Sequence, residues 1–253
     1  MAIATTPLDR ARQLLDADRL RRPPQVRDGY LDVLDAPPPT ATPASRLMRT
    51  GVYPLVYQRI RPIGLRVMSG LAEPGRDADR ARAAQRLQLQ PGQRLLDVAC
   101  GPGNFTGYFA SVLGPDGLAV GLDASTTMLA QAVRDNPHGS AAYVLGDAAD
   151  LPFPDDTFDA VTCFAALYLM AAPYVALAEA VRVLRPGGRL AILTSFAGRH
   201  HVTRTAMRVG QAVSGVRAFG ARDITDALAD LGLAEIRQEI AGVAQSVWGV
   251  KPS

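Results

Sequence analysis

Arg94-Leu95-Leu96-Asp97-Val98-Ala99-Cys100-Gly101-Pro102-Gly103-Asn104-Phe105-Thr106 reads as a short apolar run that breaks into glycines and then starts a helix. Leu95 to Ala99 form the short apolar run of a parallel strand, interrupted only by Asp97. Gly101 and Gly103 permit φ > 0 and let a bound molecule lie against bare backbone. A dinucleotide fingerprint would add a third glycine and aim a helix N-terminus at a pyrophosphate. Here the third glycine is missing and Asp97 precedes the loop. A carboxylate there repels a pyrophosphate and suits a positively charged group such as an ammonium.

Two further runs end in the same way. Leu118-Ala119-Val120-Gly121-Leu122 stops at Asp123, which stands 20 residues after Gly103. That is about the distance at which an acidic side chain meets ribose hydroxyls. Ala142-Tyr143-Val144-Leu145 ends in Gly146-Asp147-Ala148. Asp97, Asp123 and Asp147 therefore occupy three expected strand tips. Each could also serve as a helix cap or turn residue, Asp123 before Ala124-Ser125 most plainly.

In order and spacing these motifs resemble those of the class I S-adenosylmethionine-dependent methyltransferases. The resemblance also takes in Leu151-Pro152-Phe153-Pro154-Asp155-Asp156-Thr157-Phe158-Asp159, and Glu179 to Leu193 with Val183-Leu184-Arg185-Pro186-Gly187-Gly188-Arg189-Leu190. It covers roughly Arg94 to Lys251. It implies an α/β fold: a Rossmann-like, doubly wound, mostly parallel seven-stranded sheet with an antiparallel terminal hairpin. It also implies S-adenosyl-L-methionine as cofactor. Asp97 and the Gly101–Gly103 loop would serve its methionine part, Asp123 the ribose, and Asp147 with Ala148 the adenine. Ala99, Cys100, Ala124, Met128, Gly146 and Phe164 complete the expected cofactor contacts.

The rest of the chain alternates as such a sheet requires. Helices are expected over Asn104 to about Leu113, Ser125 to about Asn136, Pro173 to Leu184 and Ile224 to Leu231. Strands are expected over Phe158–Phe164 and Arg189–Ser195, with a closing hairpin of Leu233–Glu239 and Ala244–Val250. Ahead of this domain, assigned to 94–253, lie an N-terminal arm with a Pro-rich connector (1–44) and a helical cap (45–93). Leu8 to Leu20 has helical spacing, and Asp28–Asp35 reads as one short extended piece. Gly29-Tyr30-Leu31-Asp32 resembles the segment that follows a zinc ribbon in some ribosomal RNA guanine methyltransferases. Those ribbons need four cysteines, and this chain has none before Cys100, so no metal is expected. The cap, with Tyr53 and Tyr57, would cover the sheet edge, roof the substrate mouth, or do both.

With 253 residues and 48% hydrophobic content, the chain can bury one large core and an appendage. Its net charge is +3, but Lys251 is the only lysine and no basic-aromatic cluster appears, which argues against nucleic acid as partner. No window approaches the ~20 apolar residues of a membrane span. Cys100 and Cys163 imply neither a disulfide nor zinc. A cytoplasmic location is expected.

Acceptor chemistry belongs over the ends of the fourth and fifth strands of that domain. Tyr168 is expected to orient substrate, while His200 and His201 are the candidate bases, or else loop histidines beside Arg199. Related small-molecule methyltransferases often carry histidine where Tyr168 stands. The leading expectation is a methyltransferase acting on a small apolar or phenolic acceptor, such as a quinol or a lipid-like molecule. The alternatives are an RNA methyltransferase and a non-catalytic cofactor-binding protein.

Overall fold

A computed structural model describes residues 5–36, 76–198 and 217–253. The elements are α1 (Pro7–Gln13), β1 (Gln25–Arg27), β2 (Tyr30–Asp32), α2 (Arg76–Leu87), β3 (Arg94–Val98) and α3 (Asn104–Leu113). There follow β4 (Leu118–Asp123), α4 (Thr126–Asp135), β5 (Ala141–Leu145), β6 (Phe158–Phe164), a 3-10 turn (Leu167–Leu169) and α5 (Pro173–Val183). β7 (Leu184–Ser195), α6 (Asp223–Asp230), β8 (Ala234–Ala241) and β9 (Ala244–Val250) close the fold. The expected domain elements match to within a residue or two, except that β7 starts early, before the Pro186-Gly187-Gly188 irregularity.

The nine strands among the described residues form one sheet in the order β1-β2-β5-β4-β3-β6-β7-β9-β8. β3 pairs in parallel with β4 on one side and β6 on the other, so the strand order reverses beside β3. β9 runs antiparallel to β7, as the closing hairpin requires. Apolar alternation along the strands builds two layers. Leu96, Val98, Val120, Val144, Val161 and Ile192 face α1, α5 and α6. Leu95, Ala119, Ala160 and Ala191 face α2 and α3.

Seven strands become nine because the N-terminal arm joins the sheet. Asp28 and Gly29 both have positive φ (45° and 82°), the backbone of a two-residue hairpin turn, and they fold β1 antiparallel onto β2. β2 then pairs in parallel with β5, Leu31 against Val144 and Asp32 against Leu145. Leu31 is fully buried in the main core, and Val33 N–H donates to the Leu145 carbonyl at 3.2 Å. The open edge of β5 is thereby covered within the chain itself. α1 ends at Gln13, shorter than its sequence spacing suggests, and begins with a reciprocal Thr6–Asp9 capping box. Of the expected helical cap, α2 is described; Tyr53 and Tyr57 lie outside the described residues.

Candidate functional site

The tips of β3, β4 and β5 stand side by side, joined by hydrogen bonds between their loops. Cys100 N–H donates to the Leu122 carbonyl at 3.0 Å, and Gly146 N–H to the Asp123 carbonyl at 3.0 Å. The Asp123 carboxylate ties the set together. One oxygen accepts from Gly101 N–H and the other from Ser125 N–H, both at 2.9 Å. The second contact is the local turn role open to any such aspartate. The first is not local, because Gly101 lies 22 residues away. Both contacts are to backbone amides, so the loop after β3 and the turn after β4 together fix the carboxylate.

The two glycines of the loop do different work. A Cβ on Gly103 would stand 2.6 Å from the Tyr143 hydroxyl, so the loop must pack there with bare backbone. The Tyr143 hydroxyl is held by donating to the Asn136 carbonyl at 3.0 Å, while the Asn136 side-chain amide donates to the Pro102 carbonyl at 2.7 Å. A Cβ on Gly101 would meet nothing within 4 Å. Gly101, half-buried, thus leaves open space over its backbone.

Asp97 occupies the expected strand end, but its carboxylate turns into the layer beneath α3 and is 2% exposed. One oxygen accepts from Thr106 Oγ1 at 2.7 Å, the other from Thr162 Oγ1 at 2.8 Å. It is a buried part of the site wall. Its threonine partners were not among the residues singled out in the sequence, although Thr162 is its register partner on β6. Asp147 accepts from Ala149 N–H at 2.9 Å, a turn that sets Ala148 beside it, half-buried.

Backbone strain marks the reversal point of the sheet. Ala99, directly after β3, and Ala165, directly after β6, hold φ of 55° and 56° without being glycine. Each such residue costs on the order of 1–3 kcal/mol, and such residues cluster at functional sites. Phe164 is half-buried at the tip of β6, its ring 4.9 Å from that of Phe105 in an edge-on contact. Tyr168 is half-buried in the 3-10 turn, and its carbonyl accepts from Arg217 N–H at 3.0 Å. Ala124 is half-buried. Met128 is buried in the first turn of α4, and its N–H points to the capping Ser125 Oγ at 3.4 Å. His200 and His201 lie outside the described residues.

Burial pushes the Cys100 thiol well above its ordinary value, and the Asp123 and Asp97 carboxylates push it further. The glycine loop thus begins beside two carboxylates, Asp123 and Asp97. Burial, then Asp97, pushes the Cys163 thiol up to about 12, so it is a protonated core residue and no nucleophile. Among the described residues no group of His, Cys, Asp and Glu could hold a metal, and no helix is long and apolar enough to cross a membrane.

Residues 96–192 match a family described as "Methyltransferase domain". The chain is 44% identical over 112 residues to demethylmenaquinone methyltransferase of Symbiobacterium thermophilum, covering 43% of this chain and 45% of that protein. It is 42% identical over 110 residues to the ubiquinone/menaquinone biosynthesis C-methyltransferase of Ectopseudomonas mendocina, covering 42% and 43%. The match spans less than half the length of these relatives. A phosphoethanolamine N-methyltransferase of Haemonchus contortus, solved with S-adenosylhomocysteine, has the same fold at a TM-score of 0.66 and 16% identity, over 81% of this chain and 60% of that one. Fold, strand-tip motifs and family match agree: residues 96–192 are similar to a methyltransferase domain, and together they support a class I S-adenosylmethionine-dependent methyltransferase.

Proposed function

We propose that the chain transfers a methyl group from S-adenosyl-L-methionine to a small, apolar, quinol-like or phenolic acceptor. The observation that carries the reading is the Asp123 carboxylate, fixed by two backbone amides next to the open backbone of Gly101 and within a cluster of negative charge. These residues fit a cationic nucleoside. When bound, the cofactor supplies an activated methyl carbon on a positively charged sulfur.

The chain's own residues then bind and orient. Asp123 accepts the ribose hydroxyls, and Asp147 with Ala148 lines the adenine. The Gly101–Gly103 backbone admits the methionine part, while Asp97 stiffens the strand tip through Thr106 and Thr162. Gly146, Ala99, Cys100, Ala124 and Met128 shape this cradle. Phe164 and Tyr168 stand at the end of β6, where the acceptor enters, and their rings favour an apolar molecule and exclude water. Positioning of acceptor and methyl group supplies much of the acceleration, because the donor is already activated. A base is needed where the acceptor must lose a proton, and His200 or His201 takes that role. The names of the curated relatives, which act on demethylmenaquinone or in quinone biosynthesis, support the quinol class.

The test is incubation of the purified protein with methyl-labelled donor and a panel of reduced quinols and phenols, read by mass spectrometry. Labelled quinol or phenol is expected, with turnover reduced in His201→Ala. Label appearing only in RNA, or in no acceptor at all, would overturn the acceptor assignment.

A further inference from the structure

The motif that begins at Glu179 is not used by the cofactor cradle, yet it contributes to a cluster of ion pairs that joins Glu179, Arg182, Arg19 and Asp155. Glu179 and Arg182 sit one turn apart on α5 and form a bidentate pair, Arg182 Nε to Oε1 at 2.7 Å and Nη2 to Oε2 at 2.8 Å. Both side chains are less than one-fifth exposed. The pair faces a stretch without regular structure that runs on from Asp147. Leu151 N–H donates to Glu179 Oε2 at 2.8 Å, and Arg182 donates to the carbonyls of Leu151 at 3.1 Å and Phe153 at 2.8 Å. One ion pair thus fixes three backbone groups of the segment whose first residues are Asp147 and Ala148.

The N-terminal arm holds the same segment from its other side. Arg19 reaches Glu179 Oε2, the Asp150 carboxylate and the Leu151 carbonyl, each at 3.4 Å, while Asp16 N–H donates to the Pro152 carbonyl at 3.0 Å. Burial raises the Glu179 carboxyl, but the Arg182 and Leu151 hydrogen bonds and the charges of Arg182 and Arg19 outweigh it and hold the group below its ordinary value. It is therefore ionised at neutral pH, as a charge-assisted clamp requires.

We infer that Glu179 and Arg182, with Arg19 from the arm, are positioning residues that set the loop after β5 and so determine how well the adenine end of the nucleoside is bound and distinguished. This rests on Asp147 and Ala148 lining the adenine. A site is only as exact as the shell that supports it, and a loop needs such support more than a strand does. Among the described residues the clamp's hydrogen bonds go to positions 150–155 rather than to Asp147 or Ala148, so its effect on the base is exerted through the backbone.

The experiment is calorimetric titration of the full chain and its variants with S-adenosylhomocysteine and with the analogue carrying hypoxanthine in place of adenine. Wild type is expected to prefer the adenine compound. Glu179→Ala should weaken its binding roughly tenfold, the effect of losing one charge-assisted bond, and should narrow the preference between the two bases. Glu179→Gln should recover part of both, since its carbonyl still accepts from Leu151 N–H. If Glu179→Ala does not fold, Arg19→Ala, at the rim of the clamp, should narrow the preference by a smaller factor. An unchanged preference in the folded variants, with both affinities equal to or proportionally below wild type, would reduce the clamp to a structural role and overturn the inference. If wild type bound neither compound, the cofactor reading itself would fall, and the inference with it.

Discussion

Gly101 and Gly103 share a tripeptide and a left-handed backbone, yet a substitution at each meets a different environment. At Gly103 a methyl group collides with the Tyr143 hydroxyl at 2.6 Å and meets Ala132 Cβ at 3.0 Å, on a backbone with φ of 74°. Strain and overpacking add, so Gly103→Ala is expected to lose more than ~2 kcal/mol in urea denaturation. Gly101→Ala meets open space and should lose less stability while weakening cofactor binding. Equal stability losses at the two positions would contradict this division of roles. The strand tips, the glycines and their aspartates were legible in the sequence because each motif is local. The orientation of Asp97 was not. It is set by hydroxyls 9 and 65 residues away, and only the register of β3 on β6 and the first turn of α3 bring them together.

Elements of the alternating domain were readable because apolar runs of strand length recur between amphipathic helices. The arm was harder. Three-residue strands carry almost no periodicity, and Tyr30, Leu31 and Asp32 are all buried, so no alternation shows. The usable signal was the dipeptide Asp28-Gly29, a hairpin turn signature at the start of what reads as a single extended piece. β2 is nonetheless part of the cooperative core: Leu31 is fully buried among the residues of the main cluster. Leu31→Ala should therefore cost ~2–5 kcal/mol, with one unfolding transition seen by both far-UV circular dichroism and fluorescence. A cost below ~1 kcal/mol would show that the arm is an independent appendage.

Across the whole molecule, the reversal of strand order beside β3 gathers three acidic strand tips, two strained alanines and an open glycine backbone at one end of the sheet. Two of those carboxylates, Asp123 and Asp97, lie close enough to the Cys100 thiol to raise it further, in keeping with the methyltransferase domain that residues 96–192 resemble. The acceptor side was less legible. The sequence places Tyr168 near it, but the two histidines fall in a stretch with no strong periodicity and outside the described residues. The central claim is that Asp123 grips the ribose of that nucleoside, and calorimetry of wild type and Asp123→Ala against S-adenosylhomocysteine tests it most directly. The expected result is a loss of more than ~1 kcal/mol in the variant, from charge-assisted bonds no longer made. Unaltered affinity in a folded Asp123→Ala, or wild type that binds NADH in place of S-adenosylhomocysteine, would contradict the account.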